Sequence, residues 1–335
     1  MKKALKLLLS FVLASCSPDH TSDQKISPPP VSYYDKALED FQQTSSSVAL
    51  LVPLSGEHKN LGKNVLNACI LGNQNSNMDI YVIDTNSYSD ELQQSAFPNL
   101  RAIVGPVFFQ ESYKFASIFK HVPLFSLSNN TGANNGHIYA CGLSPQEEIT
   151  AVFKYLKKKR LTSLTMFVPE GDFFKSVSLI VRREAAKYEM EEEDFNVVTY
   201  KPQDDLAELV QNVTSKAIFA FEPVQSMKAK VFTMSSLALS NPEKWEGSMF
   251  VYADSDDQHE FIKAYKETFH ETPTVISLAA YDLIKMINES SMQHKNMFDE
   301  PYQGTLGTFM IKKDRSGMIR YPKMFKIENA EKIPA

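Results

Sequence analysis

Glycine is scarce in this sequence, with only 12 among 335 residues. Loops that cradle nucleotide phosphates need closely spaced glycines, and no Gly-x-x-x-x-Gly-Lys motif is present. The sequence also lacks the His-Glu-x-x-His motif of zinc enzymes and any Cys-x-x-Cys pair. Its seven histidines are scattered, so no base can be matched to a serine nucleophile. We therefore predict a non-catalytic protein that uses no metal or cofactor.

An excess of positive charge is missing as well, because 35 Lys and Arg residues face 40 Asp and Glu residues. Nucleic acid is not expected as a partner, since binding phosphates requires a basic face. Beyond the N-terminus, no apolar run approaches the roughly 20 residues of a membrane-spanning helix. The hydrophobic content of 43% is instead typical of a globular protein with a substantial core.

The N-terminus has three lysines within six residues, then the apolar run Leu7–Val12, and then Leu13-Ala14-Ser15-Cys16. This order resembles the lipobox of bacterial lipoproteins, in which the cysteine is lipidated and becomes the first mature residue. An ordinary secretory signal with a chance cysteine is the alternative. The lipobox predicts a signal peptide at 1–15, a lipid anchor on Cys16 and a location on the periplasmic face of the cell envelope. By analogy, Ser17 slightly favours the outer membrane over the inner membrane.

Residues 16–45 are rich in Ser, Asp, Gln and Pro, including Pro28-Pro29-Pro30. Such a segment is too polar to bury a core of its own. We predict that it is a flexible stalk between the lipid and the folded part.

Two further cysteines, Cys69 and Cys141, remain in the mature chain. They could form a bridge, because an oxidising compartment permits one. Two buried thiols are favoured, since Cys69 lies on an apolar helical stripe and Cys141 ends a predicted strand.

The folded part begins with alternating strand and helix patterns. The apolar run Val48–Val52 has the length of a strand that is buried on both faces. Leu61, Val65 and Cys69 then form a helical stripe. This alternation predicts a doubly wound parallel sheet. Its further strands are predicted at 79–83, 102–104 and 124–127.

A second, similar lobe is predicted from Cys141 onwards. Ser144-Pro145-Gln146-Glu147 matches a capping box, in which the serine begins a helix and the glutamate reaches back to it. Near the C-terminus, residues 306–312 and 318–327 are predicted to form a hairpin with its turn at Asp314–Gly317. The fold class is therefore α/β with two lobes. Strands of the second lobe are predicted at 164–168, 196–200 and 217–221.

Several segments carry a family resemblance through their order and spacing. They are Val48–Gly56 with Leu61-Gly62, Ile103–Pro106, Val122–Asn129, Ser144–Glu147, Ala280–Asp282 and Gly304–Phe309. Together they resemble the landmarks of type I periplasmic binding proteins of the leucine-binding class. The resemblance implies two doubly wound parallel-sheet lobes joined by three crossovers, with a ligand cleft between the lobes and hinge closure on the ligand.

The same resemblance implies the domain boundaries. Lobe 1 is expected to combine 46–139 with 254–303, and lobe 2 to combine 142–251 with 306–328. The three crossovers are expected near Tyr139–Gly142, Val251–Asp254 and Tyr302–Thr305.

Ligands of open α/β sheets bind beyond the carboxyl ends of the strands, so the loops there supply the candidate ligand contacts. Gly105-Pro106 precedes a helix whose first N–H groups could hold a carboxylate. The serine and asparagine side chains could instead serve only capping and turns. The candidate residues are Ser55, Gly56, Gly105, Phe108, Phe109, Ser126, Ser128, Asn129, Asn130, Phe173 and Glu222.

The sequence departs from the amino-acid-binding members of the family. Those members place hydroxyl residues where this chain has Phe108 and Phe109, and a phenyl ring cannot hydrogen-bond a ligand carboxylate. The segment Phe173-Phe174 likewise replaces a tyrosine that precedes a glycine. The Gly105–Phe108 loop, the strand end Leu127–Asn129 and the short segment between Thr85 and Leu100 look more like a subgroup of lipoproteins, the penicillin-binding protein activators. That resemblance implies a regulator of cell-wall synthesis with a peptidoglycan synthase, a penicillin-binding protein, as its partner.

An alternative function stays open at this point. The chain could be the substrate-binding receptor of an ABC importer for amino acids or other small carboxylates. Its partners would then be an ABC permease and a small molecule in the cleft.

Overall fold

A computed structural model describes residues 46–335 except 75, 77, 89–91, 131–135, 192, 254, 294 and 315–316. The predicted signal peptide, the lipidation site Cys16 and the predicted stalk lie outside the described residues. The chain forms two compact units. The first comprises the residues up to Gly142, 261–300 and 311–317, and the second comprises 143–260, 301–310 and 318–335. The lobe boundaries given above stay a prediction.

The first unit is built on a five-stranded parallel sheet of order β2-β1-β3-β4-β5. Strand β1 is buried along its whole length, which explains its uninterrupted apolar sequence. Helices α1 (Lys59–Gly72), α2 (Phe109–Ile118) and α8 (Val275–Met292) accompany this sheet. The strands are β1 (Ser47–Val52), β2 (Asp79–Asp84), β3 (Leu100–Val104), β4 (Leu124–Ser126) and β5 (Ile138–Ala140).

The second unit contains a seven-stranded sheet of order β15-β14-β10-β9-β8-β6-β7. Its first five strands along the chain are parallel, whereas β14 runs antiparallel to β10 and β15 antiparallel to β14. The strands are β6 (Leu164–Pro169), β7 (Phe195–Tyr200), β8 (Ala217–Ala220), β9 (Lys230–Thr233), β10 (Met249–Tyr252), β14 (Lys323–Glu328) and β15 (Glu331–Pro334). The helices are α3 (Pro145–Lys159), α4 (Asp172–Lys187), α5 (Leu206–Gln211), α6 (Ser235–Ser240) and α7 (Asp256–Phe269), the last of which ends in the first unit.

Helix α3 begins as its sequence predicts. The Ser144 hydroxyl accepts a hydrogen bond from the Gln146 N–H at 3.2 Å, and Pro145 occupies the first helical position. The helix ends at Arg160, which adopts a left-handed conformation with φ 56°. The predicted N-cap is therefore confirmed.

The predicted C-terminal hairpin is partly wrong. Strands β11 (Tyr302–Gly304), β12 (Gly307–Lys312) and β13 (Gly317–Arg320) form a small separate sheet. The second predicted strand, 318–327, breaks after Arg320, because Pro322 has no N–H to continue a ladder. Its later part is β14, which joins the large sheet instead. Residues 315–316 of the predicted turn lie outside the described residues.

Cys69 and Cys141 are not joined in a disulfide, and both are fully buried. This confirms the interpretation of two buried thiols. Burial raises the pKa of the Cys69 thiol, so this side chain stays neutral. In the described part of the chain, no helix is both long and apolar enough to cross a membrane.

Candidate functional site

The carboxyl ends of β1 to β4 gather four loops at one edge of the first unit. Because these strands are parallel, the loops that follow them meet at this edge. The loops contain Ser55 and Gly56 after β1, Gly105 and Phe108 after β3, and the Ser126–Asn130 segment at the end of β4. Phe173 and Glu222 belong to the second unit, where they follow β6 and β8.

Asp84, at the end of β2, fixes the loop after β1. Its Oδ1 accepts hydrogen bonds from the Leu54 N–H at 2.9 Å and the Asn86 N–H at 3.1 Å. The Asn86 Nδ2 in turn donates to the Ser55 carbonyl at 2.7 Å. Burial alone would raise the pKa of Asp84, but hydrogen bonds from Ser55 and from these N–H groups hold it below its usual value. The loop is therefore held by a carboxylate that stays charged. Asp84 and Asn86 are not among the predicted site residues, although an acidic residue at the end of a strand indicates a candidate site position.

The backbone at Gly105 approaches β1 very closely. Its φ is 91°, and a Cβ there would lie 2.2 Å from the Leu51 carbonyl oxygen. Gly56, with φ 69°, also requires the conformation that glycine tolerates best. Both predicted glycines therefore shape the edge through their backbone.

The two phenylalanines that follow β3 pack against local partners. The Phe108 ring lies 4.8 Å, centroid to centroid, from the His58 ring of the β1 loop. Phe109 begins α2, packs on the hydrophobic core of the unit and contacts the Tyr113 ring at 6.4 Å. Two phenyl rings therefore occupy the positions at which the resemblance to amino-acid-binding members leads us to expect hydroxyl groups.

Ser126 and Ser128 use their hydroxyls within the loop. The Ser126 Oγ is fully buried, donates to the Pro106 carbonyl at 3.3 Å and accepts from the Ser112 hydroxyl at 2.9 Å. The Ser128 Oγ accepts from the Asn130 N–H at 3.1 Å. These contacts are the turn chemistry that the alternative interpretation describes, whereas the Asn129 and Asn130 side chains are exposed. A ligand contact from this group stays a prediction.

Glu111, in the first turn of α2, adds a second carboxyl group to this edge. Burial raises its pKa, against the opposing effects of the Thr85 hydroxyl, Lys114 and His58. Across the described residues, no three His, Cys, Asp or Glu side chains come together as a metal site would require.

At the carboxyl ends of β6 and β8, the second unit presents aromatic and acidic groups. The Phe174 ring packs edge-on against Phe221 at 5.1 Å. Phe173 lies in the first turn of α4. Burial and the neighbouring Glu222 carboxylate both raise the pKa of Tyr200. The predicted contacts Phe173 and Glu222 are thus near the same end of this sheet, and their role stays a prediction.

A partly buried polar network lies at the start of α3. The Glu148 carboxylate accepts two hydrogen bonds from Ser235, one from its N–H at 2.8 Å and one from its hydroxyl at 2.7 Å. Glu147 pairs with the Arg320 Nη1 at 3.3 Å, and the Arg320 side chain is only 3% exposed. Burial raises the pKa of Glu148 to about 7, although the Ser235 hydrogen bonds oppose that rise. Sequence reasoning recognised the capping box but not this network, because its partners lie 87 and 173 residues away.

Comparison with known proteins connects this geometry to one family. The family described as "LppC putative lipoprotein" matches residues 25–294. The penicillin-binding protein activator LpoA of Pasteurella multocida is 27% identical over 147 residues. This match covers 41% of the present chain but only 25% of the relative, so the chain corresponds to a part of that protein.

Solved structures show the fold. The C-domain of LpoA from Haemophilus influenzae, described as a regulator of PBP1A, superposes with a TM-score of 0.66 at 16% identity. A Rhodospirillum rubrum protein, described as a putative branched-chain amino acid ABC transporter, superposes with a TM-score of 0.71 at 15% identity. Each match covers 87% of this chain and 100% of the other. The predicted type I periplasmic-binding-protein fold is therefore confirmed.

Proposed function

This chain belongs to the LppC lipoprotein family, and on that premise we propose that it is a lipid-anchored, non-catalytic regulator of a peptidoglycan synthase. The name of the Pasteurella multocida relative supports the choice of partner. The aligned region is a quarter of that relative, so the activity of the whole relative is extended here as a proposal.

The observation that supports this proposal is the structure of the loops at the carboxyl ends of β1 to β4. An amino-acid receptor needs hydroxyl or N–H donors that are free for a carboxylate. Here Phe108 packs on His58, and the Ser126 hydroxyl already donates to the Pro106 carbonyl. The loops are held by internal hydrogen bonds such as those of Asp84, so they keep their conformation without a ligand. Such an edge suits a protein-docking module better than a small-molecule clamp.

Capture of synthases from envelope extracts tests the proposal. The lipidated chain should enrich a penicillin-binding protein over an unrelated lipoprotein of similar charge, and the purified pair should show faster peptidoglycan synthesis than the synthase alone. A Cys16→Ala variant separates docking from anchoring, since it should still bind the purified synthase but lose regulation in cells. Failure of every synthase to bind would contradict the proposal.

The alternative is the receptor of an ABC importer for an amino acid or small carboxylate, with an ABC permease as partner. The fold shared with the Rhodospirillum rubrum protein is the observation that favours it. Thermal melts against amino acids and small carboxylates decide between the two. A ligand at one hundred times its Kd should stabilise the chain by about 2.7 kcal/mol, and such a shift would favour the receptor.

Residue Ser17 supports the outer membrane as the location of the anchor. We expect that wild-type chain fractionates with outer membranes on a density gradient and that Ser17→Asp moves it to inner membranes. Equal distributions of the two proteins would contradict this assignment.

A further inference from the structure

The C-terminal end of α3 presents a dense group of cations. Lys157, Lys158, Lys159 and Arg160 are all exposed, and the exposed Lys154 lies one turn earlier. Within the described part of the chain, none of these five side chains pairs with a carboxylate. The helix dipole favours cations in the last turn, but it does not explain a group that extends over two turns.

An open groove of about 480 Å³ lies beside these cations. The Lys159 Nζ lies 5.5 Å from the centroid of the Tyr155 ring, and Tyr155 lines the groove together with Lys230 and Lys326. Met227, on the connection between β8 and β9, is fully exposed at this groove. The other apolar residues of the lining are Val224, Ala229, Val231 and Met249. The groove therefore combines cationic side chains with apolar surface and a projecting methionine.

Carboxylates border this positive charge, but within the described residues none of them forms an ion pair with the five cations of α3. Glu246 lines the groove, but it accepts N–H hydrogen bonds from Asn329 at 3.1 Å and Ala330 at 3.2 Å. Lys326 pairs with Glu328 at 3.6 Å, and both side chains are exposed. The acidic residues that precede β7 border the α3 end of the surface, because the Asp194 carbonyl accepts a hydrogen bond from the Leu164 N–H at the start of β6, at 2.8 Å.

We propose that this cationic surface, which consists of Lys154, Lys157–Arg160, Lys230, Lys326 and Met227, docks onto an anionic phospholipid bilayer. Lysines near such a bilayer are attracted to its headgroups, and an exposed apolar side chain enters the interface. A small anion would satisfy two or three lysines, but it would use neither the methionine nor the cations spread along α3. The surface goes beyond the proposed function, because it concerns the membrane and not the synthase.

The lipid anchor brings the bilayer within reach of this surface. Twenty-nine residues lie between Cys16 and Ser46, the first described residue, and a chain of that length spans at most about 100 Å when fully extended. A lipid chain combined with a basic surface is a recurrent way to hold a protein against a membrane. The tether also keeps the local concentration of the surface high, so even weak docking is populated.

The test places a probe at the proposed contact in the full-length lipidated chain. A Met227→Cys variant is labelled with an environment-sensitive dye, which leaves Cys69 and Cys141 unmodified because both are buried. The protein is reconstituted into vesicles of phosphatidylethanolamine with one quarter phosphatidylglycerol, and into neutral phosphatidylcholine vesicles. We expect a blue-shifted, brighter signal in the anionic vesicles only, and its loss in 0.5 M NaCl.

Two further variants test whether the lysines cause the docking and whether the response is specific to this surface. Each lysine near an anionic surface is worth about fivefold in partitioning, so the triple variant Lys158→Gln, Lys159→Gln, Lys230→Gln should lower the docked-to-undocked ratio about 100-fold. The same dye on a Met292→Cys variant, in the first unit, should not respond to lipid charge. Equal signals from the Met227→Cys variant in both kinds of vesicle would overturn the proposal. A signal that rises with protein density in neutral vesicles would indicate contact between copies, and it would overturn the proposal too.

Discussion

Glu148 should make the stability of this protein depend on pH in a direction opposite to that of most carboxylates. Its side chain is partly buried, and folding raises the pKa of its carboxyl group from 4.5 to about 7. Between these values the unfolded chain has already released the proton that the folded chain keeps. The free energy of unfolding therefore falls as the pH rises through this window, and it levels off above about pH 7. At about 1.4 kcal/mol per pH unit, the total loss is at most about 3.5 kcal/mol.

A Glu148→Gln variant removes this titration. At pH 5 the variant should be less stable by about 1 kcal/mol, because an amide replaces one of the two oxygens that accept hydrogen bonds from Ser235. At pH 8 it should be more stable than the wild type by about 2 kcal/mol, because the wild type then carries a partly buried charge next to Glu147. The sign of the stability difference should reverse with pH.

Urea unfolding followed by circular dichroism from pH 5 to pH 8 measures this reversal. An exposed matched control, Glu243→Gln, should follow the wild-type profile throughout, since its side chain lies at the surface. Parallel profiles for the wild type and Glu148→Gln would refute the reasoning, because they would mean that Glu148 is charged in the folded protein at pH 5.

Three further predictions concern backbone strain, an ion pair and a ring. Gly105→Ala should lower the free energy of unfolding in urea by about 3 kcal/mol, because the new Cβ would clash with a carbonyl of β1. The control Gly136→Ala, where no atom lies within 4 Å of the new Cβ, should lower it by only about 1 kcal/mol. Equal losses would contradict the close approach at Gly105. Arg320→Met should lower the free energy of unfolding by about 2 kcal/mol, because Glu147 then loses its ion-pair partner. Adding Glu147→Gln should restore most of that stability, and no recovery in the double variant would mean that the two side chains are not coupled. Phe109→Ser should leave the protein folded but lower its free energy of unfolding by about 1 to 2 kcal/mol in thermal melts. The variant should bind an amino acid only if the Phe109 ring blocks a binding site for the ligand carboxylate.

Much of the fold could be predicted because its strands have distinct patterns. Strands β1, β6 and β8 are buried on both faces, so they read as continuous apolar runs between turns. Strands β9 and β10 have four residues each and went unpredicted, since so short an apolar run does not distinguish a strand from part of a helix. The antiparallel β14 was assigned to the wrong partner, because pairing with β10 depends on contacts more than 70 residues apart.

The candidate site was only partly predictable for a related reason. Chain order and strand direction were sufficient to bring Gly105, Phe108 and Ser126 to one edge, as the parallel sheet requires. The bond between Asp84 and Leu54 and the ring contact between His58 and Phe108 connect separate loops. No periodicity or local motif in the sequence reports such contacts, because each depends on how two loops are placed after the sheet has formed.

The interactions that hold these loops all lie within the chain itself. Where a ligand orders the loops, loss of its contacts would leave polar backbone groups without partners. In this chain Asp84 holds the first loop, a close backbone contact holds Gly105, and buried hydroxyls hold the Ser126 segment. None of these interactions needs a bound molecule. Exposed positions on the same loops, such as Asn129, can therefore change without cost to the fold, and a docking role on this scaffold requires no new architecture.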